Sequence, residues 1–109
     1  MIVLCTGMFR SGSTWSFNIV KSIMKKSNPG APIFSEYNED VKKVLNEKIE
    51  KYDNIVIKCH NLDKFGKSLI SHHSVKIIYT YRNPLEAITS GMQVFNQKLD
   101  DVIITIKNS

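Results

Sequence analysis

Cysteine is scarce: the 109 residues contain only Cys5 and Cys59, too few for a disulfide framework. Neither belongs to a CxxC pair or stands at Cys/His ligand spacing, so both read as reduced thiols inside apolar strands. Three prolines and five glycines exclude a collagenous or low-complexity chain. Long hydrophobic runs are missing too. The longest, Met1 to Cys5, falls far short of the roughly 20 residues that span a membrane, and no basic segment precedes it as in a secretory leader. A cytoplasmic protein is therefore expected, with no membrane partner. Negative charge is in short supply, with ten Asp and Glu against fifteen Lys and Arg, for a net charge of +5. That excess is spread along the chain rather than gathered in a run, so it suits a small phosphorylated ligand as well as nucleic acid. The remaining composition, 42% hydrophobic and 23% charged, is that of a chain that buries one core and is too short for two.

Met1 to Thr6 is apolar and β-branched, breaks at Gly7, and reads as a buried strand. Ser13 to Lys26 has helical spacing, with Trp15, Ile19 and Ile23 beside Phe17, Val20 and Met24 as a wide buried face. Ser27 to Asn38, with Pro29-Gly30 and Pro32, has no period and reads as a loop, either a lid or a plain connector. Glu39 to Tyr52 is helical again, its first-turn acids matching the helix dipole. Asn54 to Cys59 is a strand, Leu62 to His72 a weaker helix, and Val75 to Tyr81 a third strand. Asn83-Pro84-Leu85-Glu86 then combines an N-cap, a first-turn proline and an acid, so a helix starts where that strand stops. Residues 99 to 107 are β-branched, but Leu99, Val102, Ile103 and Ile106 match the helical template, and helix is the expectation. The alternation of strand and helix predicts an α/β domain with a parallel central sheet and right-handed crossovers, the Val75 strand lying next to the Met1 strand.

In such sheets ligands bind beyond the carboxyl ends of the strands, so the residues after Thr6, Cys59 and Tyr81 should share a crevice. Gly7-Met8-Phe9-Arg10-Ser11-Gly12-Ser13-Thr14-Trp15 is a glycine-punctuated turn into a helix N-terminus, which attracts a phosphate through free N–H groups and the dipole's positive end. It fits the P-loop pattern G-x-x-x-x-G-K-[ST] except that Ser13 takes the lysine position and a cation, Arg10, appears in mid-loop. The other strand ends, Lys58-Cys59-His60 and Tyr81-Arg82, offer no carboxylate to hold the magnesium of a nucleoside triphosphatase. His72 and His73 are adjacent and point apart on a helix, so they do not share a metal; no metal is expected.

Three segments together resemble the P-loop sulfotransferases that use 3′-phosphoadenosine 5′-phosphosulfate (PAPS). Phe9-Arg10-Ser11-Gly12-Ser13-Thr14-Trp15 is similar to the family's 5′-phosphosulfate loop, and Lys58-Cys59-His60 to its Lys-x-His strand end. Lys76 to Pro84, closing in Arg82-Asn83-Pro84 with Ser90 eight residues beyond the arginine, is similar to its 3′-phosphate motif. Phe9 departs from the usual proline, Ser13 from threonine, and Arg10 from the lysine of many members, though arginine keeps the charge and adds a bidentate fork. The resemblance spans residues 1 to 95 and implies a three-layer α/β/α fold. Family members run longer, so residues 1 to 109 are expected to form a single domain without the family's C-terminal part.

The resemblance further implies that a sulfuryl group passes from PAPS to a hydroxyl or amine, with no metal required. His60 would be the general base, since imidazole ordinarily titrates near neutrality; the plain alternative is a strand-end hydrogen bond. Lys58 and Arg10 would stabilise the sulfonate and leaving phosphate, with Ser11, Gly12, Ser13 and Thr14 donating hydrogen bonds; Lys58 also fits an edge-strand charge. Arg82 and Ser90 would bind the 3′-phosphate, the alternatives being a surface ion pair and a solvated helix residue. Trp15 would either stack on adenine or pack in the core. Two other functions compete: a kinase-like P-loop enzyme using ATP and magnesium, and a non-catalytic nucleotide or RNA-binding module, although nucleic acid is not the expected partner.

Overall fold

The computed structural model describes residues 1–61, 68 and 75–109. The helix expected over Leu62 to His72 and the pair His72 and His73 lie outside the described residues, Ser68 apart. The described elements are β1 (Ile2–Gly7), α1 (Ser13–Ser27), β2 (Ile33–Tyr37), α2 (Val41–Lys48), β3 (Asn54–Lys58), β4 (Val75–Thr80), α3 (Pro84–Phe95) and α4 (Leu99–Lys107). The four strands form one parallel sheet in the order β2-β3-β1-β4.

The strand alternation divides the core into two layers of side chains. Leu4, Ile55, Ile57 and Cys59 face α2 and pack on its Val41, Val44 and Leu45. Val3, Cys5 and Val56 face the other way, onto Met24 with Phe17 and Val20 of α1. The sheet thus carries helices on both faces, and the centres of its two inner strands, Ile2 to Cys5 of β1 and Ile55 to Ile57 of β3, are apolar because neither face there meets water. Burial pushes the Cys5 thiol above its ordinary pKa, against a smaller opposing effect of its hydrogen bond with Ser16, and neither cysteine forms a disulfide.

Three expectations are corrected. Residues 27–38 are not all loop: after a turn closed by Ala31 N–H on the Asn28 carbonyl (3.1 Å), Ile33–Tyr37 pairs with β3 as an edge strand. Pro32 sits just before that strand, where no ladder hydrogen bond is lost, and obscured a short run of β-formers. The helix expected over Glu39 to Tyr52 is shorter, because the Asp40 carboxylate caps α2 by accepting from Lys43 N (3.1 Å) and places Glu39 outside the helix. Of the wide face expected on α1, Phe17, Val20 and Met24 do pack on the sheet, but Trp15, Ile19 and Ile23 are exposed at 70%, 37% and 57%, and Ser13 and Ser16 are buried in their place. Small serines let the start of the helix lie close to the sheet, and the tryptophan is left outside the core.

At the carboxyl end of the sheet, Asn83 caps α3 by accepting from Leu85 N (2.9 Å), and Pro84 follows at its first turn. Gly91 of α3 lets Val102 of α4 approach, so these two helices pack together with Ala87 and Val102 fully buried. Among the described residues no helix is long and apolar enough to cross a membrane.

Candidate functional site

Arg10 (φ 62°) and Gly12 (φ 90°) both adopt left-handed backbone, and this pair of reversals bends the β1–α1 loop so that α1 begins above the end of β1. No side chain caps α1 and no acid lies in its first turn, so its leading N–H groups are presented to an anion. The loop is strapped to the neighbouring strand: Met8 N donates to the Thr80 carbonyl at 3.0 Å, and the Ser11 hydroxyl donates to it at 2.9 Å while lying 2.8 Å from Thr80 Oγ1.

A cavity of about 560 Å³ opens over this loop. Arg10, Gly12, Ser13, Thr14 and Trp15 line it from the β1 side, Lys58 and His60 from the end of β3, and Arg82 from just after β4. Three strand ends therefore meet at one cavity, and none of the described residues lining it is a carboxylate. Ser11 lies outside this lining because its hydroxyl turns to β4, and Ser90 lies in an adjoining cavity of about 410 Å³ that Arg82 also lines. The two cavities are joined by hydrogen bonds from Arg10 Nε to Ser90 Oγ (3.0 Å) and from Arg82 Nη1 to the Arg10 carbonyl (3.3 Å). Arg10 also sits over the Phe95 ring, 5.5 Å from its centre, so its guanidinium is steered toward α3. Arg82 makes an exposed ion pair with Glu86 at 3.4 Å, a contact weak enough for a phosphate to replace.

His60 is oriented on three sides. Its Nδ1 lies 3.2 Å from the Gly7 carbonyl, which only accepts, so Nδ1 carries the proton and Nε2 is the basic nitrogen of the neutral ring. Phe9 and Tyr37 meet the imidazole at steep angles, with centroids 6.0 and 5.9 Å away. Its backbone is held by Glu39, whose carboxylate accepts from His60 N (2.9 Å), Asn61 N (3.0 Å) and the Tyr37 hydroxyl (3.0 Å). Sequence reasoning overlooked Glu39 because it read as a first-turn helix acid. The available signal was its position between an aromatic strand end and a better cap, Asp40.

Partial burial pushes the Glu39 carboxyl upward, but the Asn61 and His60 amides, the Tyr37 hydroxyl and the nearby imidazole outweigh it, and its pKa falls below the ordinary 4.5. A depressed carboxyl pKa stabilises the folded state above the ordinary value, and that contribution fades as pH falls through the folded one. The His60 and Asn61 amide NMR shifts should accordingly titrate with a midpoint below 4.5, and Glu39→Gln should abolish that titration. Lys58, whose Nζ stands 4.6 Å from the centre of the Tyr37 ring, is on an inner strand and so is not an edge charge. Burial lowers its pKa, Glu39 pulls it back up and Arg10 lowers it again, so an arriving anion would relieve it. Among the described residues no group of three His, Cys, Asp or Glu is placed to hold a metal.

A family model described as the sulfotransferase domain matches residues 2–104. The chain belongs to that family. No curated protein and no solved structure matches it. The matched span takes in every described strand, the loop after β1 and α3, so the cavity of this sulfotransferase domain lies within it. Sulfuryl transfer is the chemistry of the family.

Proposed function

We propose that this sulfotransferase domain binds PAPS and transfers its sulfuryl group to a hydroxyl or amine, with His60 as general base. The observation that carries the reading is the meeting of Arg10, Lys58 and Arg82 with the open N-terminus of α1 around one cavity whose described lining has no carboxylate. A nucleotide acidic at both ends suits such a lining.

The acceptor oxygen or nitrogen would form a bond to sulfur as the sulfur–oxygen bond to the 5′-phosphate breaks, the electron pair leaving with the phosphate. The acceptor's proton would pass to Nε2 of His60, which the Gly7 carbonyl keeps unprotonated in the neutral ring. Lys58, Arg10 and the N–H groups of residues 13 to 15 would stabilise the charge on the leaving phosphate, Gly12 giving them room. Thr14 adds a hydroxyl, while exposed Trp15 offers its face to the adenine. Arg82 and Ser90 would take the 3′-phosphate. No step calls for a metal. The reading also keeps the chain as one domain with a nucleotide and a small acceptor as partners, in the cytoplasm.

Calorimetry tests it. Adenosine 3′,5′-bisphosphate should bind without metal and more tightly than ATP with magnesium, whereas a kinase-like enzyme gives the reverse order. Arg82→Ala should weaken the bisphosphate roughly 10- to 100-fold, as expected for loss of a charged hydrogen bond, and leave adenosine 5′-monophosphate nearly unaffected. Equal losses for both ligands would place the 3′-phosphate elsewhere.

A further inference from the structure

Phe9 and His60 also line a further cleft, of about 450 Å³, whose remaining wall has a different character. Tyr37 and Glu39 at the end of β2 form one side, and Ile104 and Thr105 of α4 the other. Among the described residues, the charged side chains of the cavity over the loop are Arg10, Lys58 and Arg82, all cations, whereas here the charge is that of Glu39, set among Phe9, Tyr37 and Ile104.

We propose that this cleft receives the sulfuryl acceptor, and that it selects a neutral or cationic acceptor with a flat apolar body over an anionic one. The inference rests on the donor reading above. In-line transfer puts the acceptor opposite the leaving phosphate across the sulfur, so the acceptor needs a compartment of its own that adjoins the donor's and reaches the base, and His60 belongs to both linings. The rings of Phe9 and Tyr37 both line the cleft and both meet the imidazole edge-on, so a flat body resting on them would bring its hydroxyl to His60. Glu39 is held as a carboxylate by three donors, two of them backbone amides that cannot give up their proton. An acceptor carrying its own carboxylate or sulfate would meet that charge at close range in a partly desolvated cleft. Ile104, 57% exposed and outside the core, provides wall area whose replacement leaves the packing of the sheet intact.

Three phenols of one shape and different charge test this by calorimetry on the full chain loaded with adenosine 3′,5′-bisphosphate: tyramine, 4-ethylphenol and 3-(4-hydroxyphenyl)propionate. The first two should bind and the third should bind at least about tenfold more weakly. Ile104→Trp, which fills the cleft, should weaken tyramine and 4-ethylphenol at least about tenfold while bisphosphate affinity stays within roughly twofold. Glu39→Gln should bring tyramine and the propionate to within about threefold of each other. Should circular dichroism show Ile104→Trp unfolded, Tyr37→Ala on the opposite wall should weaken the phenols in its place. Bisphosphate binding with no phenol binding overturns the acceptor proposal alone, as does equal affinity for all three phenols or phenol binding that survives both wall variants. Charge-ordered phenol binding to a chain that does not bind the bisphosphate overturns the donor reading and leaves the cleft as a site for such ligands.

Discussion

His60→Asn should slow sulfuryl transfer about 10²- to 10⁴-fold, the usual contribution of a positioned general base, and leave affinity for adenosine 3′,5′-bisphosphate within roughly twofold. Asparagine is the informative replacement because its amide can still donate to the Gly7 carbonyl, as Nδ1 does at 3.2 Å, and its backbone keeps the amide bonded to Glu39. The scaffold is retained and only the proton acceptor is lost. Steady-state rates with PAPS and a phenol, beside calorimetry with the bisphosphate, separate the two effects. The loss should fall on kcat, because the base acts as the proton leaves and not when the nucleotide docks. Full turnover in the variant would move the base to another group, and intact ligand binding with no turnover even in the unsubstituted chain would favour a non-catalytic nucleotide-binding module.

The sheet was legible because parallel strands buried on both faces leave uninterrupted apolar runs, and Ile2 to Cys5 and Ile55 to Ile57 are such runs. Edge strand β2 was not, since none of its five residues is fully buried, two are exposed, and the prolines before it mimic loop composition. Helix α3 announced itself through Asn83-Pro84, whose capping bond the structure contains, whereas α4 depended on spacing overriding β-branching. Which face of α1 is buried was hidden in a different way. Periodicity identified a helix but could not weigh Trp15 against Ser13 and Ser16, because close approach to the sheet rewards small residues that hydropathy ignores. At the site, the strand-end residues that converge on one cavity were visible as types and spacings. The Glu39 anchor was not, since it joins groups 21 and 22 residues apart through backbone amides that sequence does not mark.

The largest effect on stability is expected at Gly7, where β1 passes into the loop. Its backbone is at φ 155°, and a Cβ built there would overlap the Thr80 carbonyl oxygen and hydroxyl and lie 2.9 Å from Thr80 N. Thr80 cannot give way cheaply: it pairs with Gly7 in the β1–β4 ladder and accepts from Met8 N and the Ser11 hydroxyl. Gly7→Ala therefore combines a strained backbone, about 1–3 kcal/mol, with an overpacked contact of about the same size. That sum is a large share of the 5–15 kcal/mol typical of a domain and should lower Tm by about 10–20 °C in a thermal melt. Gly12→Ala is the control. It has an equally unusual φ of 90°, but nothing lies within 4 Å of the added carbon, so it should cost only the left-handed penalty of about 1–2 kcal/mol. Equal melting temperatures for the two variants would show that the close approach to Thr80 is not what demands glycine. The two also differ at the site. Shifting Thr80 drags the Ser11 strap and, two residues on, Arg82, so Gly7→Ala should weaken bisphosphate binding through geometry even in chains that remain folded.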